Sequence, residues 1–257
     1  MKLRGYVALV FLCSAFLVCD LVQRTVIAAW IRIRPSRRTA VLGSWIQLMA
    51  DLVMGSLRHL GGASLPEPRR IVETRPGVLI VMNHQSLLDI PLVVKTVDGG
   101  YPRIVTRARY HRFIPLISHM VRLYQYPVVD PSAKARDLIA SLRSLEREAR
   151  ESPVPIAIFP EGTRSRDGEI GRFKKRGLDR ILQAREWTVH VFVADGFWQR
   201  PRFKDFLRGM GELDGRMAYL GSLEWVDPSA DSAPFIDEMR TMMVRGLDEL
   251  RGSGAAA

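Results

Sequence analysis

Cysteine is nearly missing from this chain: Cys13 and Cys19 are the only two in 257 residues, and both sit in an apolar N-terminal segment. So placed, they make neither a disulfide framework nor a metal cage, which fits a reducing compartment. They read as small apolar side chains. Asparagine is scarcer still, with Asn83 alone. There is no G-x-S-x-G elbow, no P-loop, no H-E-x-x-H and no dinucleotide fingerprint. These absences speak against an elbow-type hydrolase, a P-loop nucleotidase, a zincin and a Rossmann dehydrogenase. No internal repeat is present either.

Charge of one sign is in short supply. Asp and Glu number 27 against 38 Lys and Arg, a formal net charge of +11 carried mostly by arginine. Such an excess implies an anionic partner: phospholipid, nucleic acid or a phosphorylated substrate. "RIVTRARYHR" offers a basic groove but no stacking aromatics, and no zinc or helix-turn-helix signature accompanies it. No nucleic-acid partner is expected.

What the sequence does have is a long apolar start. "GYVALVFLCSAFLVC", Gly5 to Cys19, is uncharged. It is short for a span of about 20 apolar residues. Apolar character resumes after Asp20 and Arg24, which are four apart and can pair on a helix. One helix from Gly5 to about Ile31 is predicted. "RIRPSRR" then breaks it at Pro35, and Val41, Trp45, Leu48, Leu52 and Leu60 recur near a helical period until Gly61 and Gly62. Two readings stay open: a single span whose cytoplasmic side is marked by Arg32, Arg34, Arg37 and Arg38, or a hairpin lying in the bilayer surface. A cleavable signal peptide ranks third, because no small-residue cleavage site follows. Residues 1–62 are thus expected to hold the protein at a membrane, with the rest on the cytoplasmic face.

Residues 63–251 alternate between strand and helix patterns. Strands are predicted at 77–82, 103–106, 126–129, 154–159, 187–194 and 216–225, and helices at 87–97, 109–122, 132–150, 174–185 and 234–250. The expected fold class is α/β, a layered mixed or parallel sheet flanked by helices, with the N-terminal membrane-associated helical pair. In the last helix Phe235, Ile236, Met239, Met243, Leu247 and Leu250 form a core stripe. The end, 252–257, reads as a disordered tail.

Sites in open α/β sheets gather where strands end. Two strand ends are rich here: "NHQSLLD" after Val78–Met82, and "FPEGTRSRDG" from Phe159 to Gly168. His84 can take and return a proton near neutrality, and a carboxylate on Asp89 would fix its tautomer. Residues five apart face away from each other on one helix. The pair therefore requires His84 in the turn and Asp89 on the first helical turns. Asn83 or Ser86 is a candidate cap for that helix. In "FPEGTRS", Pro160 and Gly162 force a tight loop that exposes backbone N–H groups, and Arg164 offers a fork for phosphate. Lys174, Lys175 and Arg176 add charge at the next helix. His111, His119 and His190 lie on helix or strand patterns and read as packing or surface residues.

"NHQSLLD" and "FPEGTRS", about seventy-five residues apart, together resemble the first and third sequence blocks of the glycerolipid (lysophospholipid) acyltransferase family, 1-acylglycerol-3-phosphate acyltransferase type. The resemblance runs from about Gly77 to Ala194, and the N-terminal helical pair suits the family as well. It implies transfer of an acyl group from a thioester, acyl-CoA or acyl-carrier protein, to a lysolipid hydroxyl, with lysophosphatidate the default acceptor. Another lysolipid, an amine-containing lipid, or a lipid-binding protein without catalysis are the alternatives. His84 would be the general base and Asp89 its orienting partner. Arg107, Glu161, Gly162, Thr163 and Arg164 would form the acceptor site, with N–H groups near Glu161 and Gly162 as oxyanion donors. Neither a metal nor a cofactor is implied, and an acyl channel should lead from His84 toward the membrane.

The match departs from the family in two places. "YPVVDPS" has Pro131 after Asp130 where an arginine is usual, which leaves Arg122 or Arg136 to substitute. "VHVFVADG" ends in Ala194 and Asp195 where a proline is usual.

Overall fold

The computed structural model describes residues 2–199 and 209–252. Its N-terminal part is a helical hairpin. Helix α1 (Lys2–Val22) continues through a π-helical turn, Gln23–Ile27, into α2 (Ala28–Ile33). The result is an apolar helix of 31 residues, Leu3–Ile33. No helix breaker interrupts it until Arg34, which leaves helical geometry at φ −126° before Pro35, a residue that disfavours helix in its predecessor. Asp20 and Arg24 pair at 2.9 Å as their spacing requires. The return helix α3 (Arg38–Gly55) runs on through Ser56–Leu60 and stops at Gly62, which takes a left-handed φ of +78°.

The two arms of the hairpin differ in what they touch. The second is fastened to the α/β domain along its length. Gln47 donates to the Val94 and Val97 carbonyls, Tyr124 donates to the Leu42 carbonyl, and Lys95 pairs with Asp51. Gly43 lies so close to Gly100 that a Cβ would come within 2.7 Å of the Gly100 Cα. The first arm leaves Leu3, Val10, Leu17, Val18 and Leu21 exposed, an apolar stripe facing away from the core.

The domain is built on a sheet whose middle strand is β2. In chain order the elements are β1 (Val72–Glu73), β2 (Val78–Met82), α4 (Asp89–Thr96), β3 (Val97–Asp98), β4 (Arg103–Ile104), β5 (Thr106–Arg107), α5 (Ile117–Leu123) and β6 (Val128–Val129). There follow α6 (Ala135–Glu151), β7 (Ile156–Ile158), α7 (Lys175–Leu182), β8 (Trp187–Asp195), β9 (Arg216–Trp225) and α8 (Ala233–Gly252). Among the described residues, the main sheet has the order β4-β7-β2-β8-β9. All its pairings are parallel except β8 with β9, so the sheet is mixed, as expected. Two short parallel pairs, β1 with β3 and β5 with β6, stand beside it.

Every residue of β2 is buried, and its side chains alternate between two cores. Val78, Ile80 and Met82 join the core under the hairpin, α4 and α5, while Leu79 and Val81 join the one under α6, α7 and α8. The stripe of α8 packs as predicted through Ile236, Met239, Met243 and Leu247, with Phe235 and Leu250 at its edge. The helix reaches Gly252; residues 253–257, the rest of the expected tail, lie outside the described residues.

One expectation is corrected. The predicted helix over 109–122 is only α5, because Pro115 lacks an N–H and pushes Ile114 away from helical geometry. Before it lie a 3₁₀ turn, Ala108–His111, and a loop in which Phe113 and Leu116 adopt φ of 67° and 61°. The strands β1 and β3 are two residues long, too short for alternation to reveal.

Candidate active site

Strand β2 delivers Asn83 and His84 to the C-terminal edge of the sheet. Asn83 is buried, and its side-chain amide continues the β2–β8 ladder by one rung. Nδ2 donates to the Ala194 carbonyl and Oδ1 accepts from the Ala194 N–H, both at 2.8 Å. The expectation that Asn83 caps the next helix is therefore corrected: α4 has no side-chain cap, and Asn83 is a clip between strands. Ser86 also works inside the turn, its hydroxyl accepting from the Leu88 N–H at 3.3 Å.

Residues 83–88 form the break that places His84 opposite Asp89, the first residue of α4. His84 Nδ1 lies 2.7 Å from Asp89 Oδ2. The same carboxylate oxygen accepts from the backbone N–H groups of Gln85 at 2.6 Å and Ser86 at 2.8 Å. Asp89 is fully buried and an acid in the first turn of a helix, where the dipole favours it. Its position is thus fixed by the turn as much as by the histidine. The imidazole stacks on Phe159, centroid to centroid 4.4 Å with 21° between planes. With Nδ1 held by Asp89 and the ring face by Phe159, Nε2 is the nitrogen left for an incoming group, and the side chain is 17% exposed.

The second motif is tied to the first by its own acid. Glu161, buried at the end of β7, accepts from the His84 N–H at 2.9 Å through Oε1 and from the Gly171 N–H at 3.0 Å through Oε2. Burial pushes its carboxyl above the usual range, and the two N–H donors act against that rise. The Ser165 N–H completes the joint by donating to the His84 carbonyl at 2.6 Å.

Gly162 takes φ +66°, a left-handed conformation that a side chain would strain. Its N–H donates to the Phe159 carbonyl at 3.0 Å, so it is engaged in the turn. Arg107, at the end of β5, turns Nε (3.1 Å) and Nη2 onto the Gly162 carbonyl. It tethers the loop as well as bringing charge to it. Thr163 and Arg164 are exposed at the loop tip. Of the two substitutes for the missing arginine, Arg122 donates to the His111 carbonyl at 2.8 Å, and Arg136 lies exposed on α6.

A layer behind these residues was not foreseen. Gln85 is buried and donates to Asp195 at 3.1 Å and to the Gly168 carbonyl at 3.3 Å, while accepting from the Phe197 N–H at 3.1 Å. Arg251, near the end of α8, reaches the same point. It pairs with Asp195 at 2.9 Å and Glu169 at 2.7 Å and donates to the Gly168 carbonyl at 3.0 Å. Asp195 is partly buried, but the Arg251 and Gln85 hydrogen bonds hold its carboxyl below the usual range. Gln85 lies inside a motif and could have been suspected; nothing in the sequence marks Arg251. Among the described residues, no group of His, Cys, Asp and Glu could hold a metal ion.

An open apolar groove of about 360 Å³ lies on the hairpin, lined by Ile27, Val41, Trp45 and Leu48 among others. His84 does not line it, so it is not the channel expected to start there.

The Acyltransferase family model matches residues 67–195, which include both motifs and Arg107. The chain belongs to the Acyltransferase family. Among this family's members it is similar to the human 1-acyl-sn-glycerol-3-phosphate acyltransferase beta, with 32% identity over 126 residues, 49% of this chain and 44% of that protein. The coconut 1-acyl-sn-glycerol-3-phosphate acyltransferase is 30% identical over 107 residues, 42% of this chain and 34% of that protein. The matched region therefore spans less than half the length of these curated relatives. The crystal structure of the 1-acyl-sn-glycerophosphate acyltransferase PlsC from Thermotoga maritima superposes with a TM-score of 0.67 over 98% of each chain at 19% identity, a likeness of fold.

Proposed function

We propose that this acyltransferase moves a fatty acyl group from acyl-CoA or acyl-carrier protein to the free hydroxyl of 1-acylglycerol-3-phosphate at a membrane surface. The observation that carries this reading is the 2.7 Å contact of His84 Nδ1 with buried Asp89, beside a loop that presents Arg164 to solvent. In the proposed step, His84 Nε2 takes the proton of the lysolipid hydroxyl as its oxygen attacks the thioester carbonyl carbon. The tetrahedral intermediate collapses with loss of the carbon–sulfur bond, and the imidazolium returns its proton to the thiolate. Asp89 holds the tautomer and faces the positive charge as it forms. Arg164 takes the acceptor phosphate, with Arg107 adding charge behind Gly162. The transfer so written calls on no metal or cofactor.

Membrane attachment follows from the same proposal. Asp20 and Gln23, midway along the first hairpin arm, bond the loop at Leu116, and Gln23 also bonds Trp45. A helix held at its middle by polar contacts to the domain favours the hairpin lying in the surface over a single span. The arginines at 32–38 would then meet anionic headgroups of the cytoplasmic leaflet.

The direct test is to incubate purified protein with acyl-CoA or acyl-carrier protein and a panel of lysolipids, phosphorylated and phosphate-free. Products are then identified by mass spectrometry. Phosphatidate from lysophosphatidate that disappears in His84→Ala supports the proposal. Product formation that survives His84→Ala, or none with any acceptor, would sink it.

A further inference from the structure

The loop between Arg107 and α5 holds a side chain that the proposed site does not use. Phe113 is 96% exposed, and Arg112, Ile114 and Pro115 around it are exposed too. This presentation is not slack chain. The Ser118 hydroxyl bridges the loop, accepting from the Ile114 N–H at 2.9 Å and donating to the Tyr110 carbonyl at 3.1 Å. Arg122 holds the His111 carbonyl, and Arg109 lies over the Tyr110 ring. Phe113 itself has φ 67°, which opposes a side chain's ordinary preference. Folding thus fixes a large apolar group in water, an arrangement that an apolar surrounding would relieve.

The base of the loop says which surrounding. The Leu116 N–H donates to Asp20 at 2.9 Å, and Gln23 bonds both the Leu116 carbonyl, at 3.4 Å, and His119, at 2.9 Å. The loop is therefore bolted to the first hairpin arm beside exposed Leu17, Val18 and Leu21. Exposed Arg109 and Arg112 precede Phe113 in the same loop. An apolar tip preceded by cations, on a loop bolted to an apolar helix, matches an anionic phospholipid surface.

We infer that the Arg109–Pro115 loop is a second membrane contact, inserting Phe113 among phospholipid acyl chains with Arg109 and Arg112 at the phosphates. It rests on the membrane reading above and deepens it. The loop starts at Arg107, which holds Gly162, so the proposed acceptor site opens where the bilayer is penetrated.

The test uses the full chain with Cys13→Ala and Cys19→Ala. An environment-sensitive fluorophore is placed on Phe113→Cys, on Val10→Cys in the first hairpin arm, or on Ile139→Cys in α6. Vesicles of phosphatidylcholine and phosphatidylglycerol carry nitroxide on their acyl chains, and iodide is the aqueous quencher. The labels at 113 and 10 are expected to be quenched by nitroxide and shielded from iodide, with the label at 139 the reverse. A label at 10 that enters while 113 stays open to iodide overturns this inference and leaves the membrane reading standing. Failure of both labels to enter overturns the two together. In the unlabelled protein, Phe113→Ser should raise the lipid needed for half-maximal vesicle binding about tenfold, and Phe113→Leu should restore most of it. Equal binding by Phe113→Ser and wild type also counts against insertion.

Discussion

Asn83 grips Ala194 across the end of the β2–β8 ladder with both halves of its amide, each at 2.8 Å. A side chain here replaces a backbone rung, so the strand can leave the sheet without stranding the buried N–H and carbonyl of its neighbour. That exit is what releases His84 into the turn.

Replacing Asn83 by Ala should lower stability by about 2–4 kcal/mol, since both Ala194 groups lose their partner inside the core. Asn83→Asp should be at least as costly, because a carboxylate oxygen would then face the Ala194 carbonyl. Urea denaturation at unchanged slope is the measurement.

The proposed proton pair should separate by what else each member does. His84→Ala is expected to cut kcat by about 10²–10⁴-fold with little change in the denaturation midpoint. Asp89→Ala should cut the rate and also destabilise by about 2–3 kcal/mol, because the Gln85 and Ser86 N–H groups lose their acceptor. Paired kinetics and denaturation curves of the two variants distinguish them.

Glu161 gives a pH signature. Its carboxyl is raised above the usual carboxylate range, chiefly by burial. The folded state therefore binds the proton more tightly, and this contribution is complete below the unfolded pKa and lost as pH rises through the folded one. Wild-type stability should fall relative to Glu161→Gln as pH climbs from about 4.5 upward. A constant offset between the two proteins across that range would contradict the assignment. Glu161→Gln should carry such an offset in addition, because its amide would set a donor against the Gly171 N–H or the His84 N–H.

Arg164 and Arg107 should differ in selectivity. Arg164→Ala is expected to raise KM for phosphorylated acceptors about tenfold or more and to spare phosphate-free ones. Arg107→Ala also releases the Gly162 carbonyl, so its loss should extend to every acceptor. Kinetics on matched acceptor pairs separate the two.

Arg251 should matter although it is remote in sequence. Arg251→Met removes the bridge among Asp195, Glu169 and Gly168 and should cost about 1–3 kcal/mol. Asp195 should then titrate closer to its ordinary range, visible by carboxyl NMR, because one of the hydrogen bonds holding its carboxyl low is gone.

Much of this protein was legible in the chain itself. Apolar runs and their periods marked the two N-terminal helices, most strands and the later helices, because burial of an alternating or helical face is a local property of sequence. The two motifs stood out because glycine, proline, histidine and acids rarely crowd the end of an apolar run without a turn that needs them. Tertiary structure alone decided the partners. It turned Asn83 from a cap into a clip and set Arg107 on a loop carbonyl. It also brought Arg251 from the far end of the chain to Asp195 and the Gly168 carbonyl, both of which Gln85 holds as well. Such contacts join residues tens to well over a hundred positions apart. Their geometry depends on how the sheet stacks its strand ends, and local pattern carries no trace of that.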